Sequence, residues 1–277
     1  MICEANHDII VIMEKRLPGV YPQQKKNKEI YYRSSLTFKR KHISLGSYDS
    51  MLKAHAAYLE ANMIIKSKEI NLSNYSSHRI LPHDKWIVLL NFRDSNYYFN
   101  TPIYIREKYF EYHLKPTMIL KFDIDDLFYY STRTIMKRGG HYFVSDYGMQ
   151  VNILNRYGIK NYGVKNRDYR FMNDDETDFR YENIEIINRY NGVQRITKRG
   201  KFLYRVKIHI VGNYTVGTYE TEDEAAIAYN KAIDIVKKAG VNKQFVPNYL
   251  ESITAKSYAE IYSKVAISHK ITAYKPA

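Results

Sequence analysis

Basic and apolar residues alternate with a period of two along residues 201–211, where Arg205, Lys207 and His209 interleave with Tyr, Val and Ile. Such a period puts apolar groups on one face of a strand and basic groups on the other. Gly212-Asn213 then reads as a two-residue hairpin turn, with residues 214–219 as the returning strand. Thr221, with Glu224 three residues on, reads as the capping box of a helix. Ala225, Ala228, Tyr229, Ala232 and Ile235 form its apolar stripe, and Gly240 ends it. The same order appears earlier: strands at 30–38 and 43–48, a cap at Asp49 or Ser50, and a helix with Ala54, Ala57, Tyr58 and Ala61 on one face. Small alanines let such a helix lie close to its sheet. The middle of the chain is less periodic. Residues 86–90 and 97–105 read as buried strand or helix. Asp123 to Asp126 opens a helical stretch through Met136, and Lys137-Arg138-Gly139-Gly140 reads as a basic turn. Residues 258–265 read as a short amphipathic helix.

The two patterned stretches are copies. Gly19-Val20 returns 173 residues later as Gly192-Val193, and Tyr32-Arg33 returns 172 later as Tyr204-Arg205. Leu45-Gly46-Ser47-Tyr48 returns as Val216-Gly217-Thr218-Tyr219, and Ala57-Tyr58 and Ala61 as Ala228-Tyr229 and Ala232, all at an offset of 171. Each step of one falls where a turn is expected, so two single-residue loop differences account for the drift.

Charge sharpens this picture. The 277 residues carry a formal charge of +14 with 45% apolar residues, which provides real cores and favours a polyanionic partner. The excess is local. Lys15, Arg16, Lys25, Lys26, Lys28, Arg33, Lys39, Arg40 and Lys41 face a single acid, Glu29, in the first copy. Arg189, Arg195, Lys198, Arg199, Lys201, Arg205 and Lys207 meet none between residues 189 and 219. Acids collect instead on the second helix, so the sheet side is predicted to be electropositive. Cys3 is the sole cysteine, which rules out an intrachain disulfide and a cysteine metal site. The apolar run at 9–13 is short and flanked by Glu4, Asp8 and Glu14, unlike a signal peptide or a membrane span. No Walker loop, dinucleotide fingerprint or nucleophile elbow is present. The expectation is a soluble cytoplasmic, nucleoid-associated protein with no membrane partner, no cofactor and no small-molecule substrate. Tyrosine is abundant, at 28 copies, and serves either base stacking or half-buried sheet surface.

At this point the copies resemble the AP2 DNA-binding domain, found in plant regulators and in bacterial and phage proteins. Gly192-Val193, Tyr204-Arg205-Val206-Lys207-Ile208, Val216-Gly217-Thr218-Tyr219 and the run from Thr221 to Ala232 carry the resemblance; the first copy keeps its outline without the acidic helix start. The two copies together cover about 110 residues. The resemblance implies a three-stranded antiparallel sheet laid in the major groove of double-stranded DNA, with a helix behind. Arg205, Lys207 and Arg33 fall on the DNA-facing strand. Lys39, Arg40, Lys41, Arg195, Lys198, Arg199, Lys201 and Tyr204 complete the expected DNA-binding set. Gln194 and Tyr21 stand where the family has Arg, and Tyr204 and Tyr32 where it has Trp, so base preference does not carry over.

Residues 170–184 resemble the end of an HNH homing-endonuclease domain through Asn173, Asp175, Asp178, Arg180, Glu182 and Asn183. The catalytic Asp-His pair of that family is replaced by Arg170 and Phe171, which neither hold a divalent cation nor accept a proton. Asp168 is the neighbouring acid available as a substitute, and no metal site is expected. His141 reads as a packed side chain, the alternatives being a relic of the upstream histidine or a phosphate donor. The expected class is α+β: two small sheet-plus-helix modules, at 1–72 and 190–250, flank a mixed α+β middle domain at 73–189, and a helical tail spans 251–277. The expected function is a sequence-specific double-stranded DNA-binding regulator, the alternatives being an HNH-type endonuclease or an RNA-binding protein.

Overall fold

The computed structural model describes residues 17–276, so Cys3, the apolar run at 9–13, Lys15 and Arg16 lie outside the described residues. The described residues form two compact units, one of residues 17–151 with 176–181 and one of residues 152–175 with 182–276. Both mix helices with small antiparallel sheets, and the fold class is α+β.

The first unit opens with β1 (Val20–Gln24), β2 (Ile30–Phe38) and β3 (Lys41–Tyr48), paired antiparallel in that order. Helix α1 (Met51–Lys66) follows, and Ser50, not Asp49, caps it by accepting from the Lys53 amide at 3.2 Å. Ala54, Ala57 and Ala61 have no exposed surface. Leu36, Ile43 and Leu45 of the sheet meet α1 in one core. Helix α2 (His83–Ser95) resolves the ambiguous apolar run: every residue from Trp86 to Phe92 is buried, so the segment has no polar side to reveal its period. The Arg93 guanidinium donates to the carbonyls of Ile64, Ser67 and Ile70 at 2.6–2.9 Å, satisfying the chain end of α1. A second sheet follows, with β4 (Ile103–Ile105), β5 (Tyr109–Lys115) and β6 (Met118–Asp123) in sequence order. The stretch expected to be helical from Asp123 to Met136 holds a 3-10 turn (Ile124–Asp126) and the short α3 (Leu127–Ser131) before turning into a strand. The third sheet contains β7 (Ile135–Arg138), β8 (His141–Asp146) and β9 (Met149–Asn152). Gly139 and Gly140, both at positive φ, make the β7–β8 turn. Phe110, Phe122, Tyr130 and Phe179 form an aromatic cluster with ring centroids 4.2–6.1 Å apart.

The second unit contains a short hairpin, β10 (Tyr169–Phe171) with β11 (Ile184–Ile186), and the second copy of the opening motif. Here β12 (Val193–Lys198), β13 (Lys201–His209) and β14 (Asn213–Tyr219) pair in order, backed by α4 (Glu222–Lys238). Thr221 caps α4 by accepting from the Glu224 amide, as expected, but Glu224 does not return the second bond of a capping box. The hairpin between β13 and β14 differs from expectation. Its connection is Ile210-Val211-Gly212, since Ile210 is drawn into the core, 7% exposed, and its amide donates to Gly212 O. The tail forms α5 (Ala255–Lys264) and α6 (His269–Thr272), and both contact α4.

Structure confirms the internal repeat in detail. Both sheets carry a bulge at the equivalent step, Ser34/Ser35 and Val206/Lys207. Gly19 and Gly192 both have positive φ, and a Cβ there would meet the Tyr58 or Tyr229 ring at 2.0 or 2.3 Å. The copies differ behind the helix. On α4, Asn230 donates its Nδ2 to the Tyr258 hydroxyl and accepts from the Asn248 amide, and Asp234 accepts from the Tyr262 hydroxyl, whereas α1 carries Leu52, Leu59 and Met63 exposed on its outer side.

Candidate nucleic-acid interface

Directly opposite residues of an antiparallel pair share a sheet face, so the register assigns each side chain. In the second unit one row reads Gln194, Arg205, Thr218, and its neighbours on that face include Ile196 with Leu203, Lys198 with Lys201, and Lys207 with Thr215. Val193, Val206, Ile208 and Val216 occupy the opposite face, buried beneath α4. The matching row in the first unit is Tyr21, Arg33, Ser47, flanked by Gln23 with Tyr31 and by Thr37 with His42. Arg33 and Arg205 therefore hold equivalent places on the faces turned away from the helices. None of the six strands contains an Asp or Glu.

Not every expected contact residue lies there. Tyr204 is one step out of phase with Arg205 and packs against the helix-side core. Arg195 shares its row; its guanidinium lies 5.0 Å from the Phe202 ring centroid and 3.7 Å from Glu185. Lys39 reaches the end of α2, donating to Phe92 O at 3.3 Å, Arg93 O at 3.2 Å and the Asn96 side chain. Lys41 sits over the Tyr98 ring, 4.9 Å from its centroid. Arg40 is exposed at the tip of the β2–β3 turn, and Arg199 at the tip of the β12–β13 turn. The basic turns are thus not equivalent: Lys198, Arg199 and Lys201 match the β1–β2 turn, which holds Lys25, Lys26 and Lys28. Of these Lys25 pairs with Glu29 at 2.9 Å. The expected set missed this trio, although the charge run named it.

The HNH-like residues make structural contacts within each unit. Arg170 pairs with Glu185 across β10–β11, and Phe171 is buried. The Asn173 amide donates to the Asn183 side chain, whose Nδ2 donates to Asp175 O. Asp178, with no exposed surface, is held by Arg180 at 2.6 and 2.8 Å. Asp168, the candidate substitute acid, accepts from the Val164 amide at 2.8 Å, Asn188 at 2.9 Å and Arg167 at 2.6 Å. Burial pushes its carboxyl up, but these bonds together outweigh burial and hold it below the usual carboxylate range. Its acceptor capacity is committed to the fold. His141 is exposed at the start of β8, contrary to the packed role expected of it. Among the described residues no group of three His, Cys, Asp or Glu side chains is placed to hold a metal ion.

Sequence reasoning missed a second polar constellation, in the first unit. Glu111 on β5, 8% exposed, accepts from Arg106 at 2.8 Å and lies 3.2 Å from His113 Nε2. The His83 ring is 6.0 Å from that of His113. Burial, reinforced by His113 and opposed by Asp84, pulls the His83 pKa down to about 4. The available signal was the alternation of Glu111 and His113 with Phe110 and Tyr112 on one strand.

Set against family models, curated proteins and solved structures, the chain matches none. No helix among the described residues is long and apolar enough to cross a membrane.

Proposed function

We propose that this chain is a double-stranded DNA-binding protein that reads the major groove with the open faces of its two three-stranded sheets. One observation carries the reading. In both copies the face turned away from the helix bears an arginine in the same row, on strands without a single acidic residue. A β-ribbon fits the major groove, and an arginine there makes paired hydrogen bonds to guanine. Lys207 lies on the same face as Arg205, and Lys198, Arg199 and Lys201 lie at the turn end of that sheet; they supply phosphate contacts, which position the protein without reading sequence. The AP2-like motifs support the same assignment, and Arg170 and Phe171 in the HNH-like stretch favour binding without cleavage. Two modules on one chain act bivalently, which raises avidity by about 10²–10⁴ over one module when both engage.

Selection of the purified protein on a random duplex library at physiological salt tests the proposal. Enrichment of a two-part motif is expected, with retention falling steeply as salt rises. Arg205→Ala should weaken binding by about 1–3 kcal/mol and relax one position of the motif. Recovery of no motif, or preference for single strands over the duplex, would overturn the reading.

A further inference from the structure

On the second unit, a cleft of about 230 Å³ opens beside the sheet face that carries Arg205. Gln194 and Lys207 line it from the sheet, and Lys160, Tyr162 and Arg167 from the loop that precedes β10. Sites for small organic ligands run to about 300–1,000 Å³, so this cleft suits a compact group. Its charge is one-sided. The lining carboxylate, Asp168, is bound to Arg167 at 2.6 Å, which leaves Lys160 and Lys207 in excess. Neither lysine side chain makes a hydrogen bond or ion pair with any described residue. For Lys207, exposed on the strand, this is ordinary. For Lys160, which is half-buried, it is not. Burial pulls its ammonium down to about 8, against the opposing pull of Asp168 and Glu222. A partly desolvated cation with no direct hydrogen bond is costly, and an anion entering the cleft lowers that cost.

We infer that this cleft seats a phosphate group, supplied by the backbone of the duplex bound on the adjoining sheet face, with Lys160 as its half-buried contact and Lys207 at its rim. The inference rests on the DNA-binding reading for the source of the phosphate, and on the cleft alone for the chemistry. Lysine acts on phosphate as a point charge, so each such contact contributes to the salt dependence and not to sequence preference.

The test uses the full chain. Lys160→Gln should lower the slope of log affinity against log salt by about one and weaken every duplex alike, with Lys160→Arg restoring the slope. A Lys160→Gln protein that folds, by circular dichroism, yet keeps the wild-type slope would overturn the duplex as the source. A second measurement separates the cleft from the function: acylation of the Lys160 amine, read by mass spectrometry, in inorganic phosphate against chloride of equal ionic strength. Protection by phosphate is expected. If the wild-type chain binds no duplex, protection still assigns the cleft to free phosphate and removes DNA as the source. Absence of protection by either phosphate or duplex removes the site.

Discussion

Gly192 shows how a single residue holds the module together. Its φ of +71° is a backbone region that side chains rarely adopt, and a Cβ there would lie 2.3 Å from the Tyr229 ring and 2.5 Å from the Lys207 carbonyl. Gly200 has a similar φ of +75° with nothing within 4 Å. Gly192→Ala should therefore cost about 1–3 kcal/mol for the backbone and a further 1–3 kcal/mol or so for the overlap. Gly200→Ala should cost only the first part. Urea denaturation of the two variants reads the difference, and equal losses would mean the tyrosine contact contributes nothing. Gly19 and Tyr58 make the same arrangement in the first copy, so the glycines of the repeat were legible in the sequence. Their reason, an aromatic ring brought in from the helix 37 or more residues later, was not.

At the scale of elements, basic residues divide into those that face outward and those that tie elements together. Lys39 belongs to the second group: it satisfies carbonyls at the end of α2, more than 50 residues away. A cation at a helix end contributes about 0.3–1 kcal/mol, more with direct hydrogen bonds. Lys39→Met should lower stability by about 1–2 kcal/mol and leave duplex affinity of the folded fraction unchanged. Arg40→Ala should leave stability within about 0.5 kcal/mol and reduce affinity. A Lys39→Met protein with full stability and weakened binding would return Lys39 to the interface. The parity of β13 already sets Tyr204 opposite Arg205, so its place beneath α4 was readable from alternation. Its residue type suits a base-stacking role, but its parity assigns it to the core. Lys39 could not be read this way, because no local pattern announces a partner in another element.

Across the whole molecule, half-buried ionisable side chains set limits on pH at both ends. His83 is harder to protonate in the folded chain, near 4, than in an unfolded one, near 6.5. Between those values the unfolded state takes up a proton that the folded state does not, so stability falls as pH drops from about 6.5 to 4. Burial raises the Tyr48 and Tyr219 hydroxyls to about 12 from 10. Between 10 and 12 the unfolded state loses protons that the folded state keeps, and stability falls again as pH rises. Urea titrations across this range should show both declines. His83→Phe, which keeps a ring against Tyr75, should flatten the acid one; an unaltered acid limb would exclude His83 as its cause. The sequence by itself determined the repeat, the sheet-then-helix order and the basic face, because each is written in short-range periodicity and in residue types that a strand or a cap requires. Only tertiary structure decided that the run at Trp86 is a helix buried on every side. It alone set Lys39 and Arg195 to work inside the fold, consumed Asp168 in hydrogen bonds, and left Lys160 half-buried without a partner. These outcomes depend on which distant groups the folded chain brings within a few ångströms, and spacing along the sequence carries no record of that.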